Sequence, residues 1–203
     1  MKNAQLIDDR NARTLAASSW LQLKGFSGDK TEQATGIEFY KGSLFVATPK
    51  DVTRYDNIEA NLDKIGEPKV IYDKLPGGED HSWKFIRIKD DKLYFPIGAP
   101  CNLCDPGEYA KIYRMNLDGT GIETLAAGVR NTVGFDWDPR TNALWFTSNG
   151  RDMMGDDVPP DELNHAPRAG MHFGFPYCHG GDIADPEFGP KMACSQATPP
   201  AQK

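Results

Sequence analysis

The sequence predicts an all-β chain built from repeated units of about four strands. Strand-like segments are frequent, convincing helical stripes are nearly absent, and the strands recur at an almost constant interval. Three apolar segments that alternate with period two each follow a polar turn: 42–48, 91–98 and 142–149. Leu44, Leu93 and Leu144 mark their register, with spacings of 93 − 44 = 49 and 144 − 93 = 51. A period near ~50 residues made of about four strands is typical of a β-propeller blade.

Further strand pairs fill the intervals between the marked segments. DVTRYDN is followed by PKVIYDKLP, and KIYRMNL is followed, after the turn DGTG, by GIETLAAGV. We therefore expect residues 31–203 to form a partial propeller of about three to four blades. Residues 1–30 match no blade pattern and contain the one candidate helix, 10–23. An arc that does not close leaves strand edges with which another chain could pair.

The repeat also aligns polar residues in the loops. Phe85 and Phe135 are 50 positions apart and are predicted to occupy the same place on the strand before the marked one. His81 and Asn131 lie four residues before them, and Gln33 corresponds only loosely one unit earlier. Because chain entries into the innermost strands surround one mouth of a propeller channel, these side chains are expected to converge on a binding site.

Composition excludes some classes of function. The chain has 203 residues and a formal net charge of −6, whereas a nucleic-acid partner requires a basic patch. No apolar run approaches the roughly 20 residues that span a bilayer. The first residues, MKNAQLIDDRNAR, contain no apolar core of an export signal.

The four cysteines leave several interpretations open. Cys101 and Cys104 form a C-x-x-C, and Cys178 and Cys194 flank a loop rich in glycine and proline. Four cysteines allow three pairings, and free thiols or metal chemistry are alternatives. We predict the two local pairings, because each closes a short loop between strands; such bonds imply an oxidising compartment.

Residues 146–181 are expected to form a long functional loop. They combine acids, histidines, glycines and prolines with almost no strand or helix period, and such loops in compact domains are usually functional or disordered. Disorder is disfavoured because Met171, Phe173, Phe175 and Tyr177 provide apolar surface to bury.

Several segments resemble the glucose/sorbosone dehydrogenase family, most closely its sorbosone-dehydrogenase-like branch. They are TRYDNIEANL, LPGGEDHSWKF, GAPCNLC, GVRNTVGFDW, LWFTSNGRDMMGDDVPPDELN and AGMHFGFPYCHGG, and the resemblance covers about 36–202. It implies a six-bladed propeller that oxidises an aldose or sorbosone-type sugar with pyrroloquinoline quinone (PQQ) and Ca²⁺. It also implies a periplasmic or secreted location.

The resemblance assigns roles to individual residues. It makes His81 the general base, Arg130 and Asn131 the contacts to PQQ, and the carbonyls of Gly150 and Arg151 the calcium ligands. A D-E-x-N support of the calcium loop corresponds to Asp161, Glu162 and Asn164. These residue types suit the chemistry, because histidine accepts protons near neutral pH and calcium prefers oxygen ligands. Family members are longer, and they carry further cations for the three carboxylates of PQQ.

Other interpretations remain open at this stage. The chain could be a non-catalytic propeller fragment that binds a ligand or a partner, or a lactonase-like propeller whose acidic loop binds a divalent metal. The acidic side chains of that loop are more simply read as solvated: Asp152, Asp156, Asp157, Asp161 and Glu162. His165, His172 and His179 are expected to have structural roles.

Overall fold

The computed structural model describes residues 34–62, 64, 66–76 and 80–203. Its strands are β1 Gly36–Tyr40, β2 Ser43–Ala47, β3 Val52–Tyr55, β4 Lys69–Tyr72, β5 Arg87–Lys89, β6 Lys92–Ile97, β7 Lys111–Asn116, β8 Glu123–Ala127, β9 Phe135–Trp137, β10 Leu144–Ser148, β11 Glu162–Ala166, β12 Met171–His172, β13 Cys178–His179 and β14 Ile183–Ala184. Short 3₁₀ turns lie at Ile58–Asn61, Gly189–Lys191 and Cys194–Gln196, and these described residues form no α-helix. The all-β prediction is therefore confirmed.

Strands β1 to β12 form three successive sheets that correspond to blades, and β13 pairs with β14 in a separate two-stranded sheet. The first has the order β1-β2-β3-β4, the second β5-β6-β7-β8 with β12 added in parallel to β8, and the third β9-β10-β11. Leu44, Leu93 and Leu144 lie in β2, β6 and β10, the second strand of each sheet. The repeat thus predicted equivalent strands correctly, and the architecture is a partial propeller.

The marked hairpins form where the sequence combines alternation with a suitable turn. Asp90 and Asp91 connect β5 to β6 with φ of 51° and 57°. Positive φ at both central residues is the geometry of a type I′ turn, whose twist matches that of the flanking strands. Opposite Leu93 lies Ile88, and both are buried.

Successive blades pack face to face through two apolar clusters. The cluster between the first two blades contains Phe45, Ala47, Val52, Leu75, Ile86, Ile88, Leu93, Phe95, Ile97, Tyr113 and Met115. The cluster between the second and third contains Tyr94, Ile112, Leu125, Ala126, Val129, Phe135, Leu144, Phe146, Ala166 and Phe173. Successive side chains along the strands of the second sheet point alternately into the two clusters. The second sheet therefore packs against the first blade on one face and against the third on the other.

The placement of the two phenylalanines differs from the sequence-based expectation. Phe135 begins β9, but Phe85 lies two residues before β5, so the two phenylalanines are not equivalent. Their rings instead contact each other edge to face, with centroids 5.1 Å apart. The offset arises because the connection from β9 to β10 is longer than the two-residue turn from β5 to β6.

The 146–181 segment is more regular than its composition suggested. It contains β11, which pairs with β10 from Leu144–Ala166 to Ser148–Glu162, and the short strands β12 and β13. Tertiary pairing therefore supplies a strand that sequence alternation does not show. The predicted helix at 10–23 and the alignment of Gln33 fall outside the described residues.

Both predicted disulfides are present. Cys101–Cys104 has a Cα–Cα distance of 6.2 Å and Cys178–Cys194 one of 5.2 Å, within the usual range for the bond. In the part of the chain that the structure describes, no helix has the length and apolar character to cross a membrane.

Candidate active site

His81 lies at a position of unusual backbone geometry. Its φ is 50°, a left-handed value that few non-glycine residues adopt and that is enriched at functional sites. Gly98 leaves room for it, because a Cβ at Gly98 would be 2.5 Å from the His81 Cβ and 2.8 Å from its carbonyl oxygen. This close approach fixes the position of the His81 Cβ, from which the imidazole ring extends.

A backbone carbonyl determines the tautomer of the imidazole. His81 Nδ1 lies 2.7 Å from the carbonyl oxygen of Ala99, which is fully buried. A carbonyl can only accept, so Nδ1 carries the proton and donates it to this bond. In the neutral ring Nε2 then keeps its lone pair, which is the state that a general base requires.

Asn131 comes from the next blade and meets His81 at Gly98. Its Oδ1 lies 3.1 Å from the point where a Gly98 Cβ would stand, and its Nδ2 donates to Asn149 Oδ1 at 3.0 Å. Backbone bonds continue the connection, from the Ala99 N–H to the Arg130 carbonyl at 2.7 Å and from the Asn149 N–H to the Asn131 carbonyl at 3.0 Å. The repeat alignment therefore identified two residues that lie beside the same glycine.

Arg130 is buried and held within the protein. Its Nη1 donates to the Gly150 carbonyl at 2.8 Å, its Nε to the Asn102 carbonyl at 3.0 Å, and its Nη2 to Asn102 Oδ1 at 2.9 Å and Asp152 Oδ2 at 3.2 Å. Partners among the described residues thus use four of its five donors. The guanidinium primarily organises the Gly150 loop, and its contact with a cofactor stays a prediction.

Asn102, within the Cys101–Cys104 loop, was not identified as a site residue from the sequence. Its side chain accepts from the Asp152 N–H at 2.7 Å and donates to the Asp152 carbonyl at 3.2 Å, in addition to accepting from Arg130. The signal in the sequence that points to it is its position inside the C-x-x-C. The structure adds it to the site.

An acid fixes the Gly150 end of the candidate calcium loop. Asp161 accepts from the Gly150 N–H at 2.9 Å and from Asn149 Nδ2 at 3.1 Å. Glu162 accepts from the Gly180 N–H at 2.8 Å and from Asn164 Nδ2 at 3.0 Å. Burial raises the pKa of Glu162, and the two hydrogen bonds oppose that rise. The D-E-x-N residues therefore contact the loop or its surroundings through side-chain bonds.

Arg151 is anchored by a buried acid. Its Nη1 lies 2.7 Å from Asp185 Oδ2, which also lies 3.0 Å from His179 Nε2. Burial alone would raise the pKa of Asp185, but hydrogen bonds from His179, from the Phe188 N–H and from Arg151 hold it well below its ordinary value. Burial lowers the pKa of His179. The side chain of Arg151 is thus neutralised inside the protein.

The remaining predicted groups lie apart from this arrangement. Asp156 and Asp157 are exposed, and no cluster of three His, Cys, Asp or Glu side chains among the described residues could hold a metal ion. His165 stacks on Trp145 at 4.6 Å, and His172 Nδ1 accepts from the Gly174 N–H at 3.1 Å. A calcium ion at this site would therefore depend mainly on backbone carbonyls.

Comparison with known proteins gives similarity at the level of the fold. No family model matches the chain. An uncharacterised protein of Borreliella burgdorferi is 34% identical over 161 residues, which cover 73% of this chain and 42% of the relative. The calcium structure of a Trichoderma reesei carbohydrate-active enzyme of family AA12 has a TM-score of 0.71 and 18% identity, covering 81% of this chain and 54% of that one.

Two further solved structures belong to sugar dehydrogenases. The PQQ domain of pyranose dehydrogenase from Coprinopsis cinerea has a TM-score of 0.68 and 16% identity, over 81% of this chain and 53% of that one. The soluble aldose sugar dehydrogenase of Escherichia coli has a TM-score of 0.57 and 16% identity, over 78% and 53%. The chain spans about half the length of these proteins. It shares their β-propeller fold.

Proposed function

We propose that this chain supplies the base and the calcium-binding loop of a PQQ- and Ca²⁺-dependent sugar dehydrogenase. Its substrate would be an aldose or a sorbosone-type sugar, oxidised by hydride transfer to the quinone. One observation carries the proposal: the Ala99 carbonyl holds His81 Nδ1 at 2.7 Å beside Asn131. A strained histidine with its other nitrogen available is what proton removal from a sugar hydroxyl needs.

The residues present fit one side of the cofactor. The Gly150 and Arg151 carbonyls are hard oxygen donors of the kind calcium prefers. The Gly150 oxygen accepts from Arg130 at 2.8 Å, and a carbonyl oxygen has a second lone pair with which to contact a metal ion. Asn131 can contact a quinone oxygen through its amide. The carboxylates of PQQ fit less well, because Asp152 and Asp185 already neutralise the two arginines.

The chemistry of the chain's own residues follows from this geometry. PQQ, when bound, accepts the hydride. His81 Nε2 removes the hydroxyl proton of the sugar as the hydride leaves the carbon that bears this hydroxyl. The Ala99 carbonyl stabilises the resulting imidazolium through Nδ1. Arg130 holds the carbonyl of Gly150 and Asp161 holds its N–H, so the peptide groups on both sides of this residue are fixed and the carbonyl is preorganised.

The second candidate is a non-catalytic propeller fragment that binds a ligand or partner. It is favoured by the engagement of both arginines with acids of the chain, since free cations would be expected at a strong PQQ site. The two disulfides support an oxidising compartment for either function. We therefore extend the proposal to a periplasmic or secreted location.

The test separates quinone binding from turnover. The chain is titrated with PQQ in the presence and absence of Ca²⁺, and sugar oxidation is followed with an artificial electron acceptor. We expect calcium-dependent quinone binding. His81→Ala should retain that binding but lower any turnover by roughly 10²–10⁴, the contribution of a positioned base.

His165→Ala is the matched control, since His165 stacks on Trp145 away from Gly98. It should leave turnover and binding unchanged. Absence of quinone binding at saturating Ca²⁺ would favour the non-catalytic fragment. Equal turnover by the wild type and His81→Ala would remove His81 from the mechanism even if the quinone binds.

A further inference from the structure

Asn102 connects two blades across the candidate active site. It lies in the connection from β6 to β7 of the second blade, whereas Asp152 lies in the connection from β10 to β11 of the third. Its amide makes a two-point pairing with the Asp152 backbone, accepting from the N–H at 2.7 Å and donating to the carbonyl at 3.2 Å. One side chain therefore replaces a pair of ladder hydrogen bonds between loops 50 residues apart.

Asn102 also contacts the Gly150 end of the loop indirectly, through Arg130. Asn102 Oδ1 and its backbone carbonyl accept from Arg130 Nη2 and Nε at 2.9 and 3.0 Å. Arg130 Nη1 in turn donates to the Gly150 carbonyl at 2.8 Å. Because Asn102 pairs directly with Asp152 and indirectly with Gly150, it fixes the peptide groups on both sides of Arg151.

The loop that carries Asn102 is itself anchored at several points. The Cys101–Cys104 disulfide closes it, and Leu103 packs against Ala99, Ala110 and Phe175. Ala99 is also the residue whose carbonyl orients His81. The C-x-x-C segment thus links the base to the calcium loop by a short and rigid path.

The residue type matches this task closely. The asparagine amide presents one acceptor and one donor, which match the N–H and the carbonyl of Asp152. Aspartate would keep the bonds from the Asp152 N–H and Arg130 but would place a negative oxygen against the Asp152 carbonyl. Alanine would lose every side-chain bond and leave Arg130 with a buried donor unmatched.

We infer that Asn102 is a positioning residue that orients the Gly150–Arg151 carbonyls for Ca²⁺, through the two-point pairing with Asp152 and the bonds to Arg130. The inference rests on the proposed function for the presence of calcium. Groups that orient the direct ligands of a metal typically contribute 10–100-fold to its affinity. Asn102 therefore sets the calcium affinity of the loop without touching the ion.

The experiment measures calcium binding and backbone protection in the same variants. Asn102→Ala and Asn102→Asp are titrated with Ca²⁺ by calorimetry, and hydrogen exchange is followed at the Asp152 amide. We expect Asn102→Ala to bind Ca²⁺ at least about tenfold more weakly and to exchange the Asp152 amide faster. Asn102→Asp, which keeps the shape and the bond from the Asp152 N–H, should give a smaller loss.

Asn116→Ala is the matched control. Asn116 ends β7 in the same blade and is bonded on both sides of its amide, to Lys92 Nζ at 2.6 Å and to Thr120 Oγ1 at 2.8 Å. It should lose comparable stability with unchanged calcium affinity. Wild-type affinity in both Asn102 variants would overturn the inference.

A wild type that binds no Ca²⁺ would overturn the proposed function and this inference with it. Hydrogen exchange at the Asp152 amide would still report whether this N–H is bonded to Asn102. Slow exchange there in the wild type and fast exchange in Asn102→Ala would show that the two-point pairing exists but serves another purpose.

Discussion

Replacing Lys84 by methionine should stabilise the protein at neutral pH. Lys84 is only 1% exposed, and its Nζ donates to the Ser82 carbonyl at 2.7 Å. No carboxylate among the described residues forms an ion pair with it. Methionine has a similar length and no charge, so Lys84→Met tests what the buried ammonium group costs.

The expected magnitude follows from the pKa. Burial lowers the pKa of Lys84 from 10.5 to about 8. At about 1.36 kcal/mol per pKa unit, the charged group costs about 3 kcal/mol of folding free energy at pH 7. Losing the bond to Ser82 offsets about 1.5 kcal/mol of the gain. We therefore expect Lys84→Met to unfold with a free energy about 1–2 kcal/mol higher than the wild type.

The advantage should disappear as the pH rises. Between the folded pKa of about 8 and the ordinary value of 10.5, the unfolded chain binds more protons than the folded protein. Wild-type stability attributable to this group therefore increases with pH across that window. At pH 9.5 the cost falls to about 1.4 kcal/mol by the same relation, so the two proteins should become nearly equal.

Urea unfolding at pH 7 and pH 9.5 measures both values. Lys74→Met is the control, because Lys74 is exposed and its replacement should leave the pH dependence unchanged. A Lys84→Met protein that is clearly less stable than the wild type at pH 7 would refute the reasoning. So would a difference between the two proteins that does not change with pH.

Two further predictions concern packing and charge. Gly98→Ala would bring a methyl group 2.5 Å from the His81 Cβ and should cost about 1–3 kcal/mol in urea unfolding, whereas Gly66→Ala, in open space, should cost far less; equal effects would contradict the close approach. Asp185→Asn should cost about 3–5 kcal/mol because buried Arg151 and His179 lose the negative charge of the carboxylate they contact, and exposed Asp182→Asn should not. The depressed pKa of Asp185 means that its contribution is complete above its ordinary value of about 3.9 and is lost as the pH falls below it. Thermal melts from pH 7 to pH 3 would detect this loss, and an Asp185→Asn protein with the pH profile of the wild type would contradict it.

The sequence alone determined the architecture, because a propeller repeats its pattern locally. The spacing of Leu44, Leu93 and Leu144 predicted three equivalent strands, and a polar turn such as Asp90-Asp91 precedes each of them. Short loops between the cysteines were also sufficient to predict both disulfides. These features depend on residues close in sequence, so periodicity and turn chemistry report them directly.

Only the tertiary structure decided how the candidate site is assembled. The repeat and the resemblance predicted His81 and Asn131. They did not predict that both residues lie against Gly98, where a Cβ would be too close to His81, or that the Ala99 carbonyl fixes the imidazole tautomer. Strand β11 was missed because its stability comes from pairing with β10 rather than from its own alternation.

The sequence also did not predict the role of Asn102 or the contacts that Arg130 makes within the protein. Each depends on loops of different blades that meet only when the sheets pack, and no local pattern records which carbonyl a side chain will reach. Blade packing places Arg130 against Asn102 and the Gly150 carbonyl, and its contact with PQQ stays a prediction. A hydrogen bond between distant loops is specified by the geometry of the whole arc, because its donor and acceptor are placed by different strands.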